Sequence, residues 1–116
     1  MTKESLFEAK MINVKIRRDE EGYIYGYSVE GHAENGNEVD EAVACNSVSM
    51  VTQFPLIGAQ RQLKLNAEIA VDKEIGWLWV DFPSYANLRL QAMLETMVIC
   101  LKMLQEKGVE INLKEV

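Results

Sequence analysis

His32 is the only histidine in this 116-residue chain, and Cys45 follows it thirteen residues later across a glycine-containing loop. A thiolate attacks carbonyl carbon. An imidazole within hydrogen-bond reach can take the thiol proton and later deliver it to a leaving amine, which is the chemistry of general-base nucleophilic catalysis. Asp40 and Glu41 are acids of the kind that favour a helix start. The reading therefore puts Cys45 in the first turn of that helix, where unpaired amides lower a thiol pKa and could hold an oxyanion. The competing reading is a small core residue on an apolar helix face. Spacing alone leaves both open.

Other residues offer less. Cys100 falls among Met97, Leu101 and Leu104 and reads as core. With one histidine and no Cys-x-x-Cys spacing, one chain cannot assemble the usual structural zinc site. No glycine-rich phosphate loop or Ser/His/Asp arrangement is readable, and the sequence names no partner for Asp81. Tyr23, Tyr25 and Tyr27 alternate on one strand, and Trp77 and Trp79 on another. Each set reads as a sheet face covered by helix, or as an exposed aromatic strip for a peptide or a second subunit.

The elements that must position these groups fit one domain. The chain is 48% apolar and 26% charged, enough for a single core. It has no run of about 20 apolar residues and no apolar block within Met1 to Lys10, so a cytoplasmic protein with no membrane partner is expected. A net charge of −6 argues against direct nucleic-acid binding. Residues 19 to 45 hold eight acids and no Lys or Arg, which reads as a solvated surface or as attraction for a basic partner.

Residues 1–10 stand outside the pattern and read as an N-terminal extension to a single domain over 11–116. From Met11, Ile12, Val14 and Ile16 alternate with polar residues as a half-buried strand, and Tyr23 to about Gly31 makes a second strand of an antiparallel hairpin. Ala33 to Glu41 reads as a mobile exposed loop. A helix is predicted to about Gln53, with a second piece after Pro55 because an internal proline splits or kinks a helix. Asn66 to Asp72 and Ile75 to Phe82 are a second hairpin. Leu90, Met93, Leu94, Met97, Val98, Leu101 and Leu104 recur at helical spacing, predicting a helix over Tyr85 to Lys107 that Gly108 stops. Val109 to Leu113 is the last strand. The order strand-strand-helix-strand-strand-helix-strand predicts an α+β domain, two helices on a mostly antiparallel sheet.

Gly31-His32-Ala33, then an acidic glycine-containing loop, then Cys45-Asn46-Ser47-Val48-Ser49 resemble the signature of the ribosomal-processing cysteine proteases (Prp). The likeness spans roughly residues 11 to 116, from Met11 to Val14 through Leu94 to Met97. It implies a catalytic dyad of His32 and Cys45, with Gly31, Ser49, Glu34 and Glu38 on the substrate side, a homodimer and no cofactor. The implied activity is removal of an N-terminal extension from a large-subunit ribosomal protein during ribosome assembly. Such a basic peptide would give the acidic run a role in steering. The run Asn37-Glu38-Val39-Asp40-Glu41-Ala42-Val43-Ala44-Cys45 departs from the family pattern. With one inserted loop residue the family cysteine falls on Cys45 and Val48 and Ser49 also fit. Without it the cysteine position is Ala44, and the resemblance implies an inactive relative that binds peptide or serves assembly.

Overall fold

The computed structural model describes residues 11–31, 38–74 and 76–116, with side chains in the first helix described from residue 46 onward. Residues 1–10, His32 and residues 33–37 of the expected loop lie outside the described residues. The elements run β1 (Ile12–Arg18), β2 (Ile24–Glu30), α1 (Glu38–Ile57), a π-helical turn (Gly58–Gln62), β3 (Glu68–Asp72), β4 (Trp77–Asp81), α2 (Leu88–Glu106) and β5 (Ile111–Glu115). This is the predicted α+β order. The five strands form one sheet in the order β3-β4-β2-β1-β5, antiparallel except for the β1–β5 pair.

Both helices lie on the face of the sheet that carries Ile12, Val14 and Ile16, and these meet Val48 from α1 and Leu90, Leu94, Met97 and Leu101 from α2. Burial of such side chains, about 1.5–3 kcal/mol each, sets the register, because a one-residue slip would turn them to water. Asn87 caps α2, its side chain accepting from the Arg89 and Leu90 amides at 3.0 and 3.1 Å, so α2 begins three residues later than the predicted Tyr85. Gly108, at φ +95°, ends it where only glycine turns left-handed without strain. Cys100 is a half-buried free thiol rather than a fully buried core residue.

Two expectations on the strands and the first helix need correction. Pro55 does not split α1; the helix runs through it to Ile57 and then widens into the π-helical turn. Packing holds it together: Val48, Thr52 and Ala59 are buried, and the Tyr27 hydroxyl donates to the Thr52 carbonyl. The three tyrosines do not share a face, because the β1–β2 register shifts between Arg17 and Arg18. Tyr27 is fully buried under the helices, whereas Tyr25 meets Tyr85 with the two rings tilted at 57°. Trp77 and Trp79 do share a face, but it is the one without helices, so the covered-face reading is wrong for them.

Candidate active site

β2 ends at Glu30, and Gly31 follows with φ +99° and its amide donating to the Gly76 carbonyl at 3.2 Å. A Cβ at Gly31 would lie 2.6 Å from the Met11 carbonyl oxygen. The chain thus needs glycine immediately before His32 for two reasons, a left-handed turn and a close backbone approach. His32 itself, with Glu34, lies outside the described residues.

α1 starts at Glu38, earlier than the acids Asp40 and Glu41 suggested, so Cys45 is its eighth residue rather than part of its first turn. The acids at 38, 40 and 41 suit the first turn themselves, where they complement the positive end of the helix dipole. The unpaired amides belong to the first four helical residues, and the dipole's effect fades beyond them. The helix end therefore offers the position of Cys45 little of that effect. Glu38 opens the helix and is not a loop residue. Ser49 lies one turn beyond Cys45, its hydroxyl accepting from the Gln53 side-chain amide at 2.8 Å.

Beside these residues opens a cleft of about 550 Å³ on the helix side of the sheet. Val29 and Leu78 form its floor, α1 supplies Asn46, Ser49 and Thr52 along one wall, and Ile69 and Val71 of β3 form the other. The helices do not extend over β3, which leaves Ile69 42% and Val71 57% exposed although they point to the core side with Val80 and Leu78. Gly31 and Asn46, the chain neighbours of His32 and Cys45, border this same cleft. Of the sequence-chosen residues, then, the fold brings Gly31 and Ser49 together. Ile69, Val71 and Thr52 were missed; the alternation of Ile69 and Val71 marks a buried strand face, and no sequence signal says that α1 stops short of it.

The Cysteine protease Prp family model matches residues 11–111. The chain belongs to that family. Solved structures agree in fold. The essential ribosomal processing protease Prp from S. aureus, crystallised with a substrate peptide, superposes with a TM-score of 0.77 at 24% identity over 91% of this chain and 100% of that one. The same enzyme with a covalently linked product peptide gives 0.78 at 22% identity and the same coverage. SMU.848 from Streptococcus mutans gives 0.76 at 17% identity over 91% of this chain and 99% of that one. No curated protein matches significantly.

The acidic run does not form one patch in a Prp-family chain folded this way. Asp19, Glu20 and Glu21 make the turn between β1 and β2, while Gly31 lies at the far end of the seven-residue β2. At about 3.3 Å per residue the two ends are roughly 23 Å apart, well over a Debye length in physiological salt. Among the described residues of the run, Glu30 beside Gly31 and the acids at the start of α1 are the ones near cleft-lining residues in the chain. Among the described residues no cluster of three or more His, Cys, Asp or Glu could hold a metal ion, and no helix is long and apolar enough to cross a membrane.

Proposed function

We propose that this chain is a cysteine endopeptidase that removes an N-terminal extension from a large-subunit ribosomal protein, with Cys45 as nucleophile and His32 as general base. The observation that supports it is the shared border: the immediate neighbours of both residues line one apolar cleft, in a chain of a cysteine protease family. In this reading an extended peptide lies between α1 and β3, its apolar side chains over Val29 and Leu78. His32 takes the Cys45 proton, the thiolate attacks the scissile carbonyl, and the imidazolium returns the proton to the leaving amine. Water then releases the acyl group from sulfur with the same base. A ribosomal precursor as substrate places the enzyme in the cytoplasm, and the family resemblance carries a homodimer.

The test is cleavage of a synthetic peptide spanning such an extension, followed by mass spectrometry, together with residue-resolved alkylation of the two thiols. Cleavage by the wild type, loss of cleavage in Cys45→Ala and in His32→Ala, and faster labelling of Cys45 than Cys100 are expected. A second reading, the inactive peptide-binding relative, draws on the position of Cys45 beyond the first turn of α1. Peptide binding without cleavage, with Cys45 labelled no faster than Cys100, would select it.

A further inference from the structure

β3 forms one edge of the sheet, and among the described residues no element pairs with its outer side. Two hydrogen bonds fix the direction of its peptide groups. The Gly31 amide donates to the Gly76 carbonyl at 3.2 Å, and the Phe82 amide donates to the Tyr25 carbonyl at 2.9 Å. In the same β2–β4 register Val29 faces Leu78 and Tyr27 faces Val80, so the N–H and C=O groups of Leu78 and Val80 point towards β2. Those of Trp77, Trp79 and Asp81 then point the other way, to Asp72, Ala70 and Glu68 of β3. The alternation leaves the N–H and C=O groups of Ile69 and Val71 directed outward, away from the sheet.

These are also the two β-branched residues whose side chains border the cleft. Exposed edges are usually guarded by lysine, proline or a bulge. The opposite edge of the sheet, β5, carries Lys114. β3 reads Glu-Ile-Ala-Val-Asp, without proline or lysine, and pairs with β4 in an unbroken register. An apolar, unguarded edge therefore runs along one side of the cleft.

We propose that the substrate peptide joins this edge as a sixth strand, its main chain hydrogen-bonded to the outward groups of Ile69 and Val71. The inference rests on the protease reading above and adds how the site recognises a peptide: through backbone pairing, with every second side chain directed to the cleft side. The intervening side chains lie beside Glu68 and Asp72 on the helix-free face, where a cation gains from cross-strand attraction. A peptide that alternates apolar with polar or basic residues is the one that fits. Gly31 follows β2, which lies two strands in from β3, so the added strand stands three strand spacings, about 14 Å, from Gly31. At about 3.3 Å per residue, roughly four residues cross the cleft floor between the paired segment and the scissile bond. Cleavage therefore depends on the length of the peptide as well as on the residues at the cut.

Amide-resolved hydrogen exchange tests it, with the Cys45→Ala variant and a synthetic peptide spanning a ribosomal-protein extension. The Ile69 and Val71 amides are expected to exchange freely without peptide and to slow at least tenfold with it, while the Ala70 and Asp72 amides, already in the ladder, change far less. With wild type, N-methylation of single peptide amides should raise KM at least tenfold at alternate positions of the paired segment and leave kcat within about twofold. The two measurements separate this inference from the reading beneath it. A peptide that is cleaved while the Ile69 and Val71 amides exchange as before, or whose N-methyl series shows no alternation, overturns the edge pairing and leaves the protease. Absence of cleavage overturns the protease instead; protection of those two amides then still supports the edge as a peptide site, and unchanged exchange overturns both.

Discussion

Arg17 and Asp81 pair at 2.7 Å across the helix-free face of the sheet, through the space that Gly26 leaves between them. The same guanidinium donates to the Val80 carbonyl at 2.7 Å and lies 4.8 Å from the Trp79 ring centre. A Cβ on Gly26 would come within 2.0 Å of the Asp81 carboxylate and 2.6 Å of the Val80 carbonyl oxygen. The carboxylate can rotate, but the strand carbonyl cannot without disturbing β4. Gly26→Ala is therefore expected to lower unfolding stability by about 1–3 kcal/mol, the usual cost of overpacking. Urea denaturation checks it, and an unchanged midpoint would contradict the close approach.

Tyr27 ties the sheet to α1, and its replacement isolates that tie. The side chain is fully buried, and burial pushes the hydroxyl pKa above its ordinary value, so it remains a donor at any physiological pH. Tyr27→Phe keeps the ring packed against Phe82 but removes the donor to the Thr52 carbonyl. The expected loss is about 1–2 kcal/mol, that of one buried hydrogen bond. Hydrogen exchange should show the loss concentrated in the amides of α1 rather than α2, whose own tie to the sheet is Gln91 bonded to both backbone groups of Ile24. Equal loosening of both helices would refute a local role.

What the sequence disclosed and what it hid divide along physical lines. Alternation and helical spacing are local, so the strands, α2 and the element order could be read directly, as could Gly31 before His32. The bulge at Arg17 and Arg18 was hidden because it depends on which residues β1 faces; it moves Tyr25 away from Tyr27 with no mark in the sequence. Asp81 had no visible partner because Arg17 is 64 residues away in the chain. The run through Pro55 was hidden for the same reason, since the contacts that hold α1 come from α2 and from Tyr27 of β2. In the site, the flanking residues could be read, but the cleft could not. It exists because β3 extends beyond the reach of α1.

Arg18 bridges Glu95 and Glu115 at 2.7 and 2.8 Å, which gives a pH dependence of known sign. The hydrogen bond from Arg18 holds the Glu115 carboxyl below its ordinary value of 4.5. A carboxyl lowered by folding adds stability that is whole above its unfolded pKa and lost as pH falls through the folded one. Glu115 is 39% exposed, so solvent limits the pair to about 0.5 kcal/mol. Glu115→Gln should thus cost a few tenths of a kcal/mol at pH 7, and the gap to wild type should close as pH falls below 4.5. A gap that widens in acid would mean the carboxyl acts in its neutral form.

The cleft makes a sharper demand on kinetics than on stability. Ile69 and Val71 are more than a third exposed on its β3 wall, so Ile69→Asp or Val71→Asp should keep the fold at a cost of about 1–2 kcal/mol in unfolding stability. If an apolar peptide segment lies against that wall, each change sets a charge against it, and kcat/KM should fall about tenfold or more, chiefly through KM. Steering by the acids near the start of α1 would act differently. It would make kcat/KM fall as salt shortens the Debye length from about 10 Å at 0.1 M towards 3 Å at 1 M, with kcat little changed. The two effects separate in one experiment, because wall variants should keep the wild-type salt slope while Glu38→Lys flattens it. Peptide cleavage measured at several ionic strengths for wild type, Ile69→Asp and Glu38→Lys decides between them. A wall variant with unchanged KM would remove the peptide from the cleft, and a salt-independent kcat/KM would return the acids to an ordinary solvated surface.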